Sequence, residues 1–260
     1  MKRRPPYVEK DSPPSSYAVA AALEKRPDAW GKVSSGTLQR ALFLAPGLAL
    51  AGVRGEQLVK EEMGWESVRY QHRYRWEIIN SLITRFGYKK YLEIGVAEGV
   101  CFYQVCAEHK ISVDPGYSVA TFKIGADQFF DMNREVFDII FIDGLHVKEQ
   151  VLRDFGNSLK FLSEGGSIVV HDCNPVNEES TDNLINGTVW EAWAHYRMHR
   201  PDLSMAVLDT DQGCGVIRRG RQALFPPTKK MDFGFLAQNR KRLLNLVPPV
   251  WPGWLDDNFR

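Results

Sequence analysis

Long apolar runs are missing from this chain of 260 residues. A bilayer span needs about 18 apolar residues in succession. The nearest stretch, Ala41 to Val53, is shorter and is broken by Pro46-Gly47. It also lies too far along the chain for a secretory leader, and it reads as a helical pair covered by protein, in a homo-oligomer contact or a lid. Charge of one sign is missing too. Against 33 Lys and Arg stand 32 Asp and Glu, a net charge of +1, which gives no global electrostatic case for nucleic acid as a partner. Cysteine is scarce. Cys101, Cys106, Cys173 and Cys214 show no C-x-x-C spacing, so zinc is not indicated and nothing calls for an oxidising compartment; a cytoplasmic protein is expected. There is no internal repeat, no G-x-G-x-x-G and no Tyr-x-x-x-Lys, which argues against a nicotinamide-dependent dehydrogenase.

What remains is ordinary globular material, 44% apolar and 25% charged, enough for one α/β domain with extensions. Residues 1–16 are basic and proline-rich and are expected to be disordered. Residues 17–69 read as short helices, an N-terminal extension. From Tyr70 to Phe86, Trp76, Ile79, Leu82, Ile83 and Phe86 recur at three and four, one helical face, with Gly87 as its stop. Strands are then expected at 91–96, 111–114, 121–123, 137–142 and 167–171, with helices at 98–108 and 148–162 between them. Such alternation implies a doubly wound, mostly parallel sheet. A helix at 189–199 follows, then strands at 203–208 and 215–218. The link Asp211-Gln212-Gly213 is too short for a parallel crossover, so these two form an antiparallel hairpin. This α/β domain spans 70–222. Residues 223–260 are a tail rich in Pro and Trp, with a short helix at 235–246.

In such a sheet, ligands sit at the carboxyl ends of the strands. The first strand runs Tyr91-Leu92-Glu93-Ile94 into Gly95-Val96-Ala97-Glu98-Gly99, and the second ends at Asp114. Glycines that let the backbone approach a ligand, followed by an acid that takes ribose hydroxyls, form a mononucleotide-binding βαβ unit. The spacing G-x-x-x-G points away from a dinucleotide. The third strand leads into Gly125-Ala126-Asp127, the fourth into Asp143-Gly144-Leu145-His146, and the fifth into His171-Asp172-Cys173-Asn174-Pro175. If the fourth and fifth strands are neighbours, about 4.8 Å apart, Asp143 and Asp172 share a crevice. Two carboxylates so close repel, which calls for a shared proton or a cation between them. Each acid alone would also serve to cap the segment that follows it.

The stretch from Glu93 to Gly99 resembles motif I of the class I S-adenosylmethionine-dependent methyltransferases. With F-I-D-G-x-H ending at His146 and V-V-H-D-C-N-P ending at Pro175, residues 70–220 look like the small-molecule O-methyltransferases that include catechol and macrolide-sugar enzymes. That resemblance implies a Rossmann-like, seven-stranded sheet with one antiparallel strand. It implies S-adenosylmethionine bound by Glu93, Gly95, Ala97, Gly99, Asp114, Ala126, Asp127 and Asp143, and a sugar-like or other small hydroxylated acceptor. It further implies His146 as base beside Asp143, and Mg2+ held by Asp143 and Asp172. Relatives carry two acids, or Asp-Asn, where this chain has His171-Asp172-Cys173, so His171 becomes either a third ligand or an outer partner. Two other readings share the fold: an iron-dependent hydroxylase using the same acids, similar to the cephalosporin hydroxylase group, and a non-catalytic scaffold that binds S-adenosylmethionine.

Overall fold

The computed structural model describes residues 70–117 and 119–259. The tail at 1–16, the helical extension at 17–69 and the apolar stretch at 41–53 lie outside the described residues. Helix α1, Arg75–Phe86, buries Ile78, Ile79, Leu82 and Ile83 and stops at Gly87, whose φ of 66° suits a residue without Cβ. It starts later than the apolar periodicity predicts. Tyr70–Gln71 is instead a short strand, β1, paired antiparallel with β9, Val250–Trp251, near the other end of the chain.

The central sheet is built from β2 (Lys90–Ile94), β3 (His109–Val113), β4 (Phe137–Ile142), β5 (Leu162–Val170), β6 (Leu203–Leu208), β7 (Cys214–Arg219) and β8 (Leu246–Val247). Their order is β3-β2-β4-β5-β7-β6-β8. All neighbours are parallel except β7, which runs against both β5 and β6. The doubly wound sheet of seven strands with one antiparallel member is therefore as expected. The antiparallel strand is an inner one, with β6 and β8 beyond it. Apolar runs such as that of β4, broken only by Asp138 near its start, suit strands covered on both faces. On one face Leu92 and Ile140 pack with Phe129 of α3 (Ala126–Met132), Phe155 of α4 (Lys148–Phe161), Trp193 of α5 (Val189–His199) and Leu243 of α6 (Phe233–Leu244). On the other, Tyr91 and Phe141 pack with α1, with Cys101 of α2 (Val100–Gln104) and with Trp254 of α7 (Gly253–Asn258).

Several boundaries differ from expectation, each for a local reason. The strand expected at 121–123 is a single bridge, Val113 to Phe122, and β8 supplies the seventh strand. Helix α2 ends at Gln104 and does not reach 108. The side chain of buried Asn80 donates to Gln104 O and accepts from Cys106 N, both at 2.9 Å, replacing the next helical bonds. Helix α4 passes straight into β5, which begins at Leu162 and not at 167, with Gly165-Gly166 in a bulge of the strand. Helix α6 begins earlier than predicted because Asp232 caps it, accepting from Phe235 N at 2.7 Å. Among the described residues no helix is long and apolar enough to cross a membrane.

Candidate active site at the carboxyl edge of the sheet

The turn after β2 and the end of β3 are locked together. The Asp114 carboxylate accepts from the backbone amides of Val96 and Ala97, both at 3.2 Å, and of Gly116 at 2.8 Å. The turn needs backbone conformations with positive φ at Gly95 and Ala97. Gly95 has a second reason to lack a side chain: a Cβ there would lie 2.1 Å from the Asp143 carbonyl oxygen. The glycine that reads as a ligand-approach residue is thus also where β4 crosses the turn.

A cavity of about 830 Å³ opens above these strand ends. Gly95, Ala97, Asp114, Ala126 and Asp127 line one part of it, and Asp143, His146, His171 and Asp172 another. Glu93 and Gly99 are not among the lining residues. Glu93 is buried behind the turn, where the Tyr91 hydroxyl donates to it. Burial, only partly offset by that hydroxyl, pushes its carboxyl up to about 8. Gly99 precedes α2, with the Tyr103 ring against it. Asp127 is half exposed and pairs with Arg153 at 3.1 Å. Asp154 of α4, which the sequence reading passed over, lines the cavity from a buried position, and burial raises its carboxyl to about 6 despite a hydrogen bond from Gln150.

The second part of the cavity holds a dense ionic cluster. His171 Nδ1 lies 3.0 Å from Asp172 Oδ2 and 3.2 Å from Asp143 Oδ1. His146 Nε2 lies 3.1 Å from Asp172 Oδ2 and 3.6 Å from Asp143 Oδ1. These four residues are legible in the sequence. Two more are not. Arg75, in the first turn of α1, reaches Asp143 Oδ2 at 2.6 Å, and Asp211, in the β6–β7 turn, lies 3.0 Å from Arg75 Nε and 3.4 Å from His171 Nε2. Three carboxylates therefore face one guanidinium and two imidazoles. Burial alone would raise Asp143, but His171, His146 and Arg75 outweigh it and hold its carboxyl far below the usual range. Burial likewise works against charge on both rings, and the carboxylates overcome it, raising His146 and, more strongly, His171.

The surrounding loops explain small residues that the sequence left without a role. Asn186 Nδ2 donates to Asp172 Oδ1 at 2.8 Å, and Thr188 N donates to His146 O at 2.9 Å. Gly187 between them has φ 56°, and a Cβ there would lie 2.1 Å from His146 O. Gly213 does the same against Asn174, where a Cβ would come within 2.4 Å of that side chain.

Magnesium does not suit this donor set. Asp143, His171 and Asp172 converge closely enough for a metal, as do His171, Asp211 and Cys214. Yet Mg2+ takes oxygen ligands in near-ideal octahedral geometry. Here Arg75 occupies one Asp143 oxygen, Asn186 occupies one Asp172 oxygen, and the remaining two face imidazole nitrogens. The residues present therefore do not fit the Mg2+ expected at Asp143 and Asp172 with His171.

A family model described as a methyltransferase domain matches residues 92–173. No curated protein matches the chain. Among solved structures, it is similar to an O-methyltransferase from Bacillus cereus in complex with SAH, at 16% identity over 76% of this chain and 95% of that one, with a TM-score of 0.43. It is also similar to the O-methyltransferase TomG from Streptomyces achromogenes, at 15% identity over 55% and 78%, with a TM-score of 0.40. A methyltransferase from Podospora anserina gives 15% identity over 85% and 100%, with a TM-score of 0.42. The resemblance to class I methyltransferases rests on the matched span, which runs from β2 to the residue after Asp172.

Proposed function

We propose, from the premise that this chain carries a methyltransferase domain over residues 92–173, that it is an S-adenosylmethionine-dependent O-methyltransferase acting on a sugar or another small hydroxylated metabolite. One observation carries the reading. A single cavity joins the Gly95–Asp114 turn to a cluster of acids and histidines. Its volume lies in the range of small-molecule sites. Asp114 Oδ2 accepts from two amides and Oδ1 from one; since each carboxylate oxygen can accept twice, Oδ1 keeps one position for a ribose hydroxyl. Gly95 and Ala97 bring backbone close to the same place. The cofactor, when bound, supplies a methyl group on a cationic sulfur.

The chain's own residues would act on the acceptor. A sugar hydroxyl is scarcely ionised at neutral pH, so its proton must pass to a base as the oxygen takes the methyl group. His146 is the candidate base, with Asp143 orienting the ring from 3.6 Å and Asp172 from 3.1 Å. A positioned base contributes about 10²–10⁴-fold. Because those carboxylates raise the His146 pKa against the opposing effect of burial, the ring loses its proton at higher pH than a free imidazole does. Turnover should therefore still be climbing with pH above the ordinary imidazole range. A panel of sugar nucleotides and glycosides, read by mass spectrometry for a product one methyl group heavier, tests the reaction. Calorimetry with Asp114→Ala tests the cofactor end. Affinity should fall by about 1–3 kcal/mol, as for a lost hydrogen bond to a charged group, and unchanged affinity would remove Asp114 from the site.

A further inference from the structure

Two groups of side chains here have the composition of a metal centre, and one residue stands in the way of both. Arg75 Nη1 lies 2.6 Å from Asp143 Oδ2, while its Nε and Nη2 lie 3.0 and 3.2 Å from the two oxygens of Asp211. The Arg75 backbone N–H also donates to Asp211 Oδ2 at 2.9 Å. Asp143 belongs to one candidate group and Asp211 to the other. The guanidinium is planar and does not give up its proton in a protein. Its fork is gripped from two sides, so its position is fixed. An ion entering either group would meet this charge within a few ångströms, in a partly buried region, where like charges repel more strongly than in open water. It would also find both outer oxygens of Asp143 and Asp211 already taken.

We propose that Arg75 is the permanent cation of this centre, occupying the electrostatic role of a divalent ion, and that the chain works without a metal. Arg75 acts as a positioning residue. It orients Asp143 directly, and through Asp211 it places a carboxylate 3.4 Å from His171 Nε2. The other nitrogen of that ring faces Asp143 and Asp172, which in turn hold His146. One guanidinium thus sets a line of charges from the β6–β7 turn to the candidate base. The turnover part of this proposal rests on the methyltransferase reading; the metal part does not.

The experiment titrates Mn2+ into purified full-length protein and follows the free ion by electron paramagnetic resonance. Turnover is measured before and after treatment with chelator. The native chain should bind no stoichiometric Mn2+ and should keep its turnover in chelator. Arg75→Met should lower turnover by about 10²-fold, the scale for a catalytic group displaced by about 1 Å, and Arg75→Lys should recover part of it. Arg75→Met should also acquire one Mn2+ per chain, lost again when Asp143→Asn is added. A merely structural role for Arg75 would not create that affinity. The proposal is overturned if the native chain binds one Mn2+ that Asp143→Asn removes, or if chelator abolishes turnover. It is equally overturned if a folded Arg75→Met excludes manganese. Should Arg75→Met not fold, the native titration alone decides. The manganese arms need no acceptor, so a chain that methylates nothing offered would count against the methyltransferase reading while these arms still decide the cation.

Discussion

Glu93 matches the acid of the motif, and its surroundings decide its charge. It sits two residues before Gly95, where an acid is expected to meet the cofactor, yet it is 1% exposed and bound by Tyr91 behind the turn. Its carboxyl is raised to about 8, with burial the main cause. The folded chain therefore keeps a proton there that the unfolded chain releases above its ordinary value near 4.5. Stability from this group is fully present below that value and is lost as pH rises towards 8, by up to about 1.4 kcal/mol per pH unit for one proton. Glu93→Gln should flatten that slope between pH 5 and 8 in urea unfolding. An identical slope in both proteins would mean Glu93 is ionised throughout. The sequence showed the acid and the glycines but not their partners. Tyr91 is readable as a strand residue, and nothing local says that its hydroxyl meets Glu93. Arg75 and Asp211 are harder still. They are 136 residues apart, and neither belongs to a pattern, since an Arg in a first helical turn and an Asp in a hairpin are both ordinary.

At the scale of elements, strands with long apolar runs were the most legible, and β4, β6 and α5 fall where hydrophobic pattern places them. Elements failed where a single side chain overrode the pattern, as Asn80 does at the end of α2. The turn from Asn186 to Thr188 is an element of that kind with consequences for chemistry. It clasps the backbone of His146 and the carboxylate of Asp172 together. Gly187→Ala should fail on two counts, its positive φ and the contact with His146 O. The expected result is displacement of His146, with turnover falling by about 10²-fold as a general base is misplaced. Cofactor affinity should stay as it was, because Asp114 and the Gly95 turn lie elsewhere in the cavity. Calorimetry beside a rate measurement separates the two, and a normal rate would show that the turn does not set His146.

For the whole molecule, the informative feature is how the last described residues return to the first. Strand β9 pairs with β1, and His72 N donates to Pro249 O at 2.9 Å. Trp251 is buried at 4% exposure between His72 and Trp254. These contacts fix the entrance to α1, and Arg75 follows directly. Residues that read from sequence as a Pro- and Trp-rich tail thereby hold a wall of the cavity. Trp251→Ala should cost about 3–5 kcal/mol, the scale for truncating a buried aromatic, measured by urea denaturation. A cost under about 1 kcal/mol, typical of surface substitutions, would show that the β1–β9 pair closes without it.

The inner position of β7 has a kinetic side. Because β7 runs against its neighbours, β6 is parallel to β5, and the turn carrying Asp211 emerges at the same edge as Asp143 and Asp172. Arg75, 68 residues from Asp143 and 136 from Asp211, can be gripped only after that hairpin has docked beside β5. Contacts so distant in sequence form late and slowly. During refolding, competence to bind at the ionic cluster should then appear with the final step of sheet assembly, so that ligand recognition reports a finished chain and not a partly ordered one.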